Sequence, residues 1–208
     1  MASKFAETIR RIQAGMSAVP NDRLQLLGQA AEDLKRLSKA AQVNALFVCT
    51  HNSRRSHFAD LWFRVGLALF SAKDIRSESC GTETTECNPR TVASLRRIGF
   101  AVEETTAPPN PRYLVTAPDE NVVSLSADLF SKSFESSEVP QTNLVAFMCC
   151  DDADARCPTV PGAEARYALS YVDPKASDGS DVEEATYDER SLQIAAEMFC
   201  LAKACASK

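Results

Sequence analysis

The sequence predicts an α/β domain built on a parallel sheet, with a helical segment in front of it. Three stretches carry that prediction. "NALFVC" (44–49) is a short, mostly apolar run, as expected of a strand buried on both faces. A loop follows at once and leads into residues 55–70, where Phe58, Leu61, Trp62, Val65 and Leu69 recur at helical spacing. Strand, short loop, helix is how a parallel α/β sheet opens. "NLVAFMCC" (143–150) then repeats the buried-strand pattern and again ends in thiols.

The other elements follow in order. Residues 3–16 place Phe5, Ile9, Ile12 and Met16 at helical spacing. "VPND" breaks the pattern, and Asn21 or Asp22 can cap a second helix that carries Leu27, Ala31, Leu34 and Ala41 on one side. Residues 1–41 are therefore expected to form a helical N-terminal extension, and 42–208 the main domain. The extension shows no chemistry; covering apolar surface or mediating dimer contacts accounts for it. "IRSESCG" is the next candidate strand. Asn88-Pro89 starts a helix with proline in its first turn, Val92, Leu95 and Ile98 on one face, and Gly99 at its end. Residues 106–140 are less regular: "APPNP" is a break, "RYLVT" and "NVVSLS" read as strands, and "DLFSKSFESSEVP" as turn or loop. "PTVPG" is a turn, and "YALSYVDP" reads as a strand that leads to an acidic loop. "YDERSLQIAAEMFCLAKACASK" closes the chain as a helix with Ile194, Met198 and Leu201 on one face.

Composition excludes several function classes. The 208 residues are 45% hydrophobic and 25% charged, ordinary values for a globular protein. The net charge of -5 argues against a general nucleic-acid binder, which needs a basic face. No apolar stretch approaches the roughly 20 residues of a membrane helix. The start, "MASKFAETIRRIQAGM", is too polar for a secretory signal, so a cytoplasmic location is expected. In that setting the 8 cysteines are not a disulfide framework; they are reactive, metal-binding or simply buried.

The chemistry concentrates in "LFVCTHNSRRSH" (46–57). Cys49 ends a strand, where open α/β sheets place their ligands. The following helix N-terminus presents unpaired N–H groups and a partial positive charge, and a loop wrapped onto that end cradles an oxyanion. The same surroundings favour a thiolate. Arg55 can grip two oxygens of an oxyanion with its planar fork. Ser56 can donate to the thiolate, and Asn52 can hold the loop or take a left-handed backbone. The bland alternative is a buried cysteine beside a surface Arg-Arg pair. C-x5-R alone is common by chance; its place between strand and helix makes it specific.

"VCTHNSRRS" resembles the phosphate-binding loop of the low-molecular-weight protein tyrosine phosphatases and of the thioredoxin-coupled arsenate reductases built on the same fold. The resemblance spans roughly residues 43–205, with an extra stretch near 106–140, and implies a three-layer α/β sandwich. By it Cys49 is the nucleophile, and residues Thr50, His51, Asn52, Ser53, Arg54, Arg55 and Ser56 form the oxyanion site for arsenate, phosphate or sulfate. Two positions depart from the pattern: His51 stands where glycine is usual, and Arg54 where cysteine is frequent. Arg54 is expected to favour the thiolate further.

A second cluster, "MCCDDADARCPTVPG", resembles the redox loop of the thioredoxin-coupled reductases. Cys150 matches the second thiol of their relay and Cys157 the third. The Asp- and Ala-rich segment between them has no strand pattern and is expected to move. Core thiols, or Cys149 in place of Cys150, remain alternatives; zinc is disfavoured by the C-x6-C spacing. Cys80, Cys87, Cys200 and Cys205 read as structural or incidental.

Asp173-Pro174, in "SYVDPKAS", matches the general-acid pair of the resembling family; an ordinary Asp-Pro turn is the alternative. Lys175 and Ala176 follow where the phosphatases usually carry aromatics, which favours a small inorganic oxyanion. Asp60 occupies a region where some relatives bind a monovalent cation, but a solvated helix acid is the preferred reading. The sequence thus points to an arsenate reductase with no tightly bound cofactor, no metal and thioredoxin as electron donor, as monomer or homodimer. A low-molecular-weight phosphatase acting through a Cys49 phosphoenzyme is the alternative, and a non-catalytic oxyanion or thiol sensor the third.

Overall fold

A computed structural model describes residues 3–157 and 159–206 of the chain. The Ser3 hydroxyl accepts the Ala6 N–H and opens α1 (Lys4–Gly15), which a 3-10 turn (Met16–Ala18) joins to α2 (Asn21–Ser38). Neither Asn21 nor Asp22 caps α2. Pro20, extended at φ -57 and ψ 147, holds the cap position, and Asn21 is already helical. Phe5, Ile9, Ile12, Leu27, Ala31 and Leu34 are buried in the same hydrophobic cluster as the sheet residues Leu46 and Phe147. Ala41 lies beyond the end of α2 and is exposed.

The main chain then runs β1 (Val43–Cys49), α3 (Arg55–Leu69), β2 (Ile75–Gly81), α4 (Pro89–Arg97), β3 (Ala101–Glu104), β4 (Tyr113–Thr116) and β5 (Ser126–Leu129). It continues through β6 (Leu144–Met148), α5 (Asp151–Arg156), β7 (Ala163–Ala168) and α6 (Glu183–Ala206). β2, β1, β6 and β7 lie side by side in that order, all parallel, and helices flank the sheet, so the expected α/β class is borne out. β1 is central and wholly apolar from Ala45 to Val48, because neighbouring strands cover its edges and the flanking helices its faces. Phe47 stacks on Phe147 at 4.9 Å and meets Phe63 of α3 edge-on at 5.6 Å. Asn88 caps α4 by accepting the Arg90 N–H, with Pro89 in the first turn and Gly99, at φ 110, just past the end.

Further sequence expectations change. β3, β4 and β5 form a separate antiparallel sheet, and β3 is a strand that the chain's polar "AVEE" does not advertise. The third strand of that sheet is "SADL" (126–129), not "NVVSLS"; its Ala127 and Leu129 alternate inward, a period-2 pattern that an apolar-run criterion misses. The thiol segment after β6 is not irregular but helical, as α5. β7 stops at Ala168, so Asp173 stands on an extended segment beyond the strand. Among the described residues no helix is long and apolar enough to cross a membrane.

Register fixes where the thiols lie. Cys49 pairs with Gly81 and Val48 with Met148, so both central strands end at one edge of the sheet. The Cys149 N–H bonds the Val48 carbonyl at 2.6 Å, which prolongs the ladder by one residue. Cys150 is next, and alternation sends its side chain the opposite way from that of Cys149.

Candidate active site

The loop after β1 is tied down through its carbonyls. Cys49 O accepts from Thr82 N (3.3 Å), Thr50 O from Glu83 N (2.8 Å) and Ser53 O from Asn88 N (2.9 Å). His51 O accepts from the Ser131 hydroxyl at 2.8 Å. A trans peptide points its N–H opposite to its C=O, so each outward carbonyl turns the next residue's N–H toward the inside of the loop. Gly81 makes this seat possible. A Cβ there would stand 2.5 Å from Glu83 O and 2.7 Å from both Asn52 N and Thr50 O.

Asn52 takes the left-handed backbone, at φ 44, while His51 is not among the positive-φ residues described, so the usual glycine position needs no glycine here. Asn52 Oδ1 accepts the Lys132 N–H at 2.9 Å, which fixes its amide orientation; Nδ2 then donates to Ser56 Oγ at 2.9 Å. With one hydrogen received, Ser56 is free to donate its own to Cys49 Sγ, 3.0 Å away. Cys49 is 3% exposed, at the bottom of the loop.

Arg55 is braced on two sides. One terminal nitrogen donates to Tyr171 O at 3.1 Å and the other to Asp173 Oδ2 at 2.7 Å. Its Nε is buried with no hydrogen-bond partner among the described residues, a donor of the kind an oxyanion satisfies. Asp173 Oδ1 accepts the Lys175 N–H at 3.0 Å and caps a 3-10 turn, Pro174–Ser177. Arg54 does not turn to Cys49. Its Nε donates to Tyr187 Oη at 2.8 Å, and its guanidinium lies 3.7 Å from Asp178, so its charge is matched on the far side of the loop. The exposed His51 side chain faces Glu83 at 3.4 Å.

The downstream thiols separate cleanly. Cys149 is buried against its own strand, with Sγ 3.6 Å from Phe147 O, and burial pushes its thiol well above the usual range. Cys150 Sγ stands 3.5 Å from the Thr50 hydroxyl and accepts the Ala153 N–H at 3.4 Å as the N-cap of α5. Cys157, half-buried, sits at the other end of α5, where its carbonyl accepts Arg166 Nε at 3.1 Å. All eight cysteines are free. Burial also raises the thiols of Cys80, Cys87, Cys200 and Cys205, the last to about 12.

Asp60 is not a solvated helix acid: it is 1% exposed, accepts from Arg64 Nε at 2.8 Å and from Ser77 Oγ at 2.6 Å. Burial pushes its carboxyl up, but Arg64 and Ser77 outweigh that and hold it low. The cation facing this carboxylate is the Arg64 side chain, which also lies 3.4 Å from Glu78; the buried Lys132 ammonium in turn lies 3.0 Å from Glu78. Tyr171, Gly81, Ser131 and Lys132 support the loop without having been singled out in the sequence. Only Gly81, ending a strand at "SCG", left a local signal.

No protein-family model matches the chain. An arsenate reductase of Staphylococcus aureus (strain Newman) is 27% identical over 153 residues, 74% of this chain and 92% of that protein. One from Halalkalibacterium halodurans is 26% identical over 137 residues, 66% and 78%. A low-molecular-weight phosphotyrosine phosphatase from Vibrio cholerae superposes with a TM-score of 0.48 at 16% identity, over 76% of this chain and 94% of that one. A thioredoxin-dependent arsenate reductase from Corynebacterium glutamicum does so with 0.37 at 20%, over 83% and 66%. Over most of the length of its curated relatives, this chain is similar to the arsenate reductases.

Proposed function

We propose that this chain reduces arsenate to arsenite through a relay of three thiols, Cys49, Cys150 and Cys157, recharged by thioredoxin in the cytoplasm. The second thiol carries the reading: Cys150 Sγ lies 3.5 Å from a hydroxyl of the Cys49 loop. A hydrolase needs no thiol there, because water completes its reaction.

The loop amides of residues 50–56 and Arg55 seat the oxyanion, and the Cys49 thiolate attacks arsenic. An As–OH group leaves as water with a proton from Asp173; the arriving oxyanion competes for Arg55 and so releases that carboxyl. Cys150 thiolate then attacks Cys49 Sγ. The S–As electron pair stays with arsenic, which departs as arsenite, and two thiols have become one disulfide. Cys157 thiolate attacks Cys150 Sγ and frees Cys49, and the thioredoxin dithiol reduces the Cys150–Cys157 disulfide.

This last transfer requires α5 to open. Seven steps along the chain from Cys150 to Cys157, at about 1.5 Å of helical rise each, hold the two Cα atoms about 10 Å apart, whereas a disulfide needs roughly 4.4–6.8 Å. A helix this short is marginal by itself, and Ala153 is its buried residue. The deciding assay compares arsenate with p-nitrophenyl phosphate, with and without thioredoxin. Arsenite formation that depends on thioredoxin and on Cys157 supports the relay. Aryl phosphate turnover indifferent to Cys150 and Cys157 would replace it with the phosphatase.

A further inference from the structure

Tyr171 joins three parts of the molecule. Its N–H donates to the Cys149 carbonyl at 3.2 Å, and its own carbonyl accepts from Arg55 at 3.1 Å. Its hydroxyl donates to Glu197 Oε2 on α6 at 2.9 Å. The same carboxylate oxygen accepts Arg23 of α2 twice, from Nε at 3.1 Å and from a terminal nitrogen at 2.6 Å. The Arg23 guanidinium also lies 5.1 Å from the centre of the Tyr171 ring. Tyr171 and Glu197 are 4% and 3% exposed. Burial, reinforced by Glu197, keeps the phenol protonated and donating.

The backbone leaves this residue in need of an anchor. β7 has ended at Ala168, and beyond it Leu169 N and Tyr171 N bond only the β6 side, at Met148 O and Cys149 O. Val172, the next residue, is 69% exposed. The side chain of Tyr171 therefore holds the carbonyl that braces Arg55.

We propose that Arg23, acting through Glu197 and Tyr171, positions Arg55, so that the N-terminal helices set the oxyanion affinity of the loop. The proposal rests on reading that loop as an oxyanion site, not on the arsenate chemistry. Removing Arg23 strips a buried carboxylate of its cation, a large penalty that is relieved by letting the Glu197–Tyr171 contact open to water. The Tyr171 carbonyl then shifts, and a binding fork displaced by a fraction of an ångström loses affinity steeply.

The test is calorimetric binding of inorganic phosphate to the full chain, alongside arsenate KM and kcat in the thioredoxin-coupled assay. Arg23→Gln and Tyr171→Phe are expected to weaken phosphate about tenfold and to raise KM in proportion, with kcat changed much less. Leu27→Ala, which truncates the core face of the same helix, is expected to lower Tm without moving phosphate affinity. Tyr171→Phe keeps the ring and loses only the hydroxyl, so it carries the test if Arg23→Gln does not fold. Phosphate affinity within twofold of the parent chain in both variants, with Tm lowered as in Leu27→Ala, overturns the proposal and leaves the network merely structural. A chain that binds phosphate with this Arg23 dependence but turns over no arsenate counts against the proposed reaction alone.

Discussion

Replacing Arg166 by alanine should open α5 and quicken the last transfer of the relay. Arg166 holds the carboxyl end of that helix through three contacts: Nε to Cys157 O at 3.1 Å, and a terminal nitrogen to Asp154 O at 2.7 Å and to Asp154 Oδ1 at 2.6 Å. The two bonds to carbonyls, partly open to solvent, contribute about 0.75 kcal/mol each, and an ion pair this exposed about 0.5 kcal/mol. Their loss destabilises the closed helix by about 2 kcal/mol, which is about thirtyfold in its opening equilibrium. Hydrogen exchange reads that equilibrium directly. The Asp154 and Cys157 amides, bonded to Cys150 O and Ala153 O, should exchange about thirtyfold faster. After mixing with arsenate, the Cys150–Cys157 disulfide should form faster by up to the same factor. Exchange that accelerates while disulfide formation keeps its original rate refutes the argument that helix opening gates the transfer. Unchanged exchange refutes the role given to Arg166.

Other perturbations test other links. Cys157→Ser should still release arsenite once per chain but stop multiple turnover with thioredoxin, measured by quantifying arsenite in excess of enzyme; continued turnover excludes the third thiol. Gly81→Ala forces a Cβ against two backbone atoms of the loop and against Glu83 O and should cost about 1–3 kcal/mol of stability, with phosphate affinity reduced at least tenfold by calorimetry; unaltered binding means the loop is not seated there. His57 sets an acid limit: burial, then the Lys132 charge, lowers its pKa from 6.5 to about 3. The unfolded chain binds one more proton in that window, so stability is present above it and is lost as the pH falls, by on the order of 5 kcal/mol at full titration. His57→Gln should flatten the rise of unfolding free energy with pH between about 3 and 6.5; parallel curves from denaturant titrations would contradict the buried neutral imidazole.

How much of this was legible in the sequence depends on how local the cause is. β1, α3 and β6 announce themselves because burial on both faces, or on one helical stripe, selects apolar residues at fixed spacing. The loop is legible too, since strand, loop and helix N-terminus are contiguous. β3 and β5 are not: each has four residues, and what makes them strands is pairing with β4, which no window on their own sequence contains. Asp60 looks like a solvated acid until β2 brings Ser77 and Glu78 beside it. Arg54 looks like a charge for the thiolate until α6 brings Tyr187 to receive it. Tyr171 acts through its backbone carbonyl, an atom every residue has, so its type gives no warning. The helicity of α5 is a borderline case. Three aspartates in its first turn complement the helix dipole, but its cap is a thiol, which is not a residue one seeks at that position.

Reduction and hydrolysis share their first step on this loop and part at the second. A tetrahedral oxyanion of either element fits the same amides and the same Arg55 fork, so binding alone separates arsenate from phosphate poorly. Redox chemistry separates them. Arsenic in the Cys49 adduct accepts an electron pair when a thiolate attacks the sulfur; phosphorus does not, and its adduct waits for water. A hydrolase must therefore hold a base ready for that water. Asp173, once the oxyanion draws Arg55 from it, can serve either reaction and does not decide between them. What also stands against the Cys49 loop is the Cys150 sulfur, oriented by Thr50 and by the first turn of α5. In the proposed reaction, phosphate is then a competitor that binds and leaves, and selectivity for arsenate is enforced by the thiol that follows, not by the pocket that comes first.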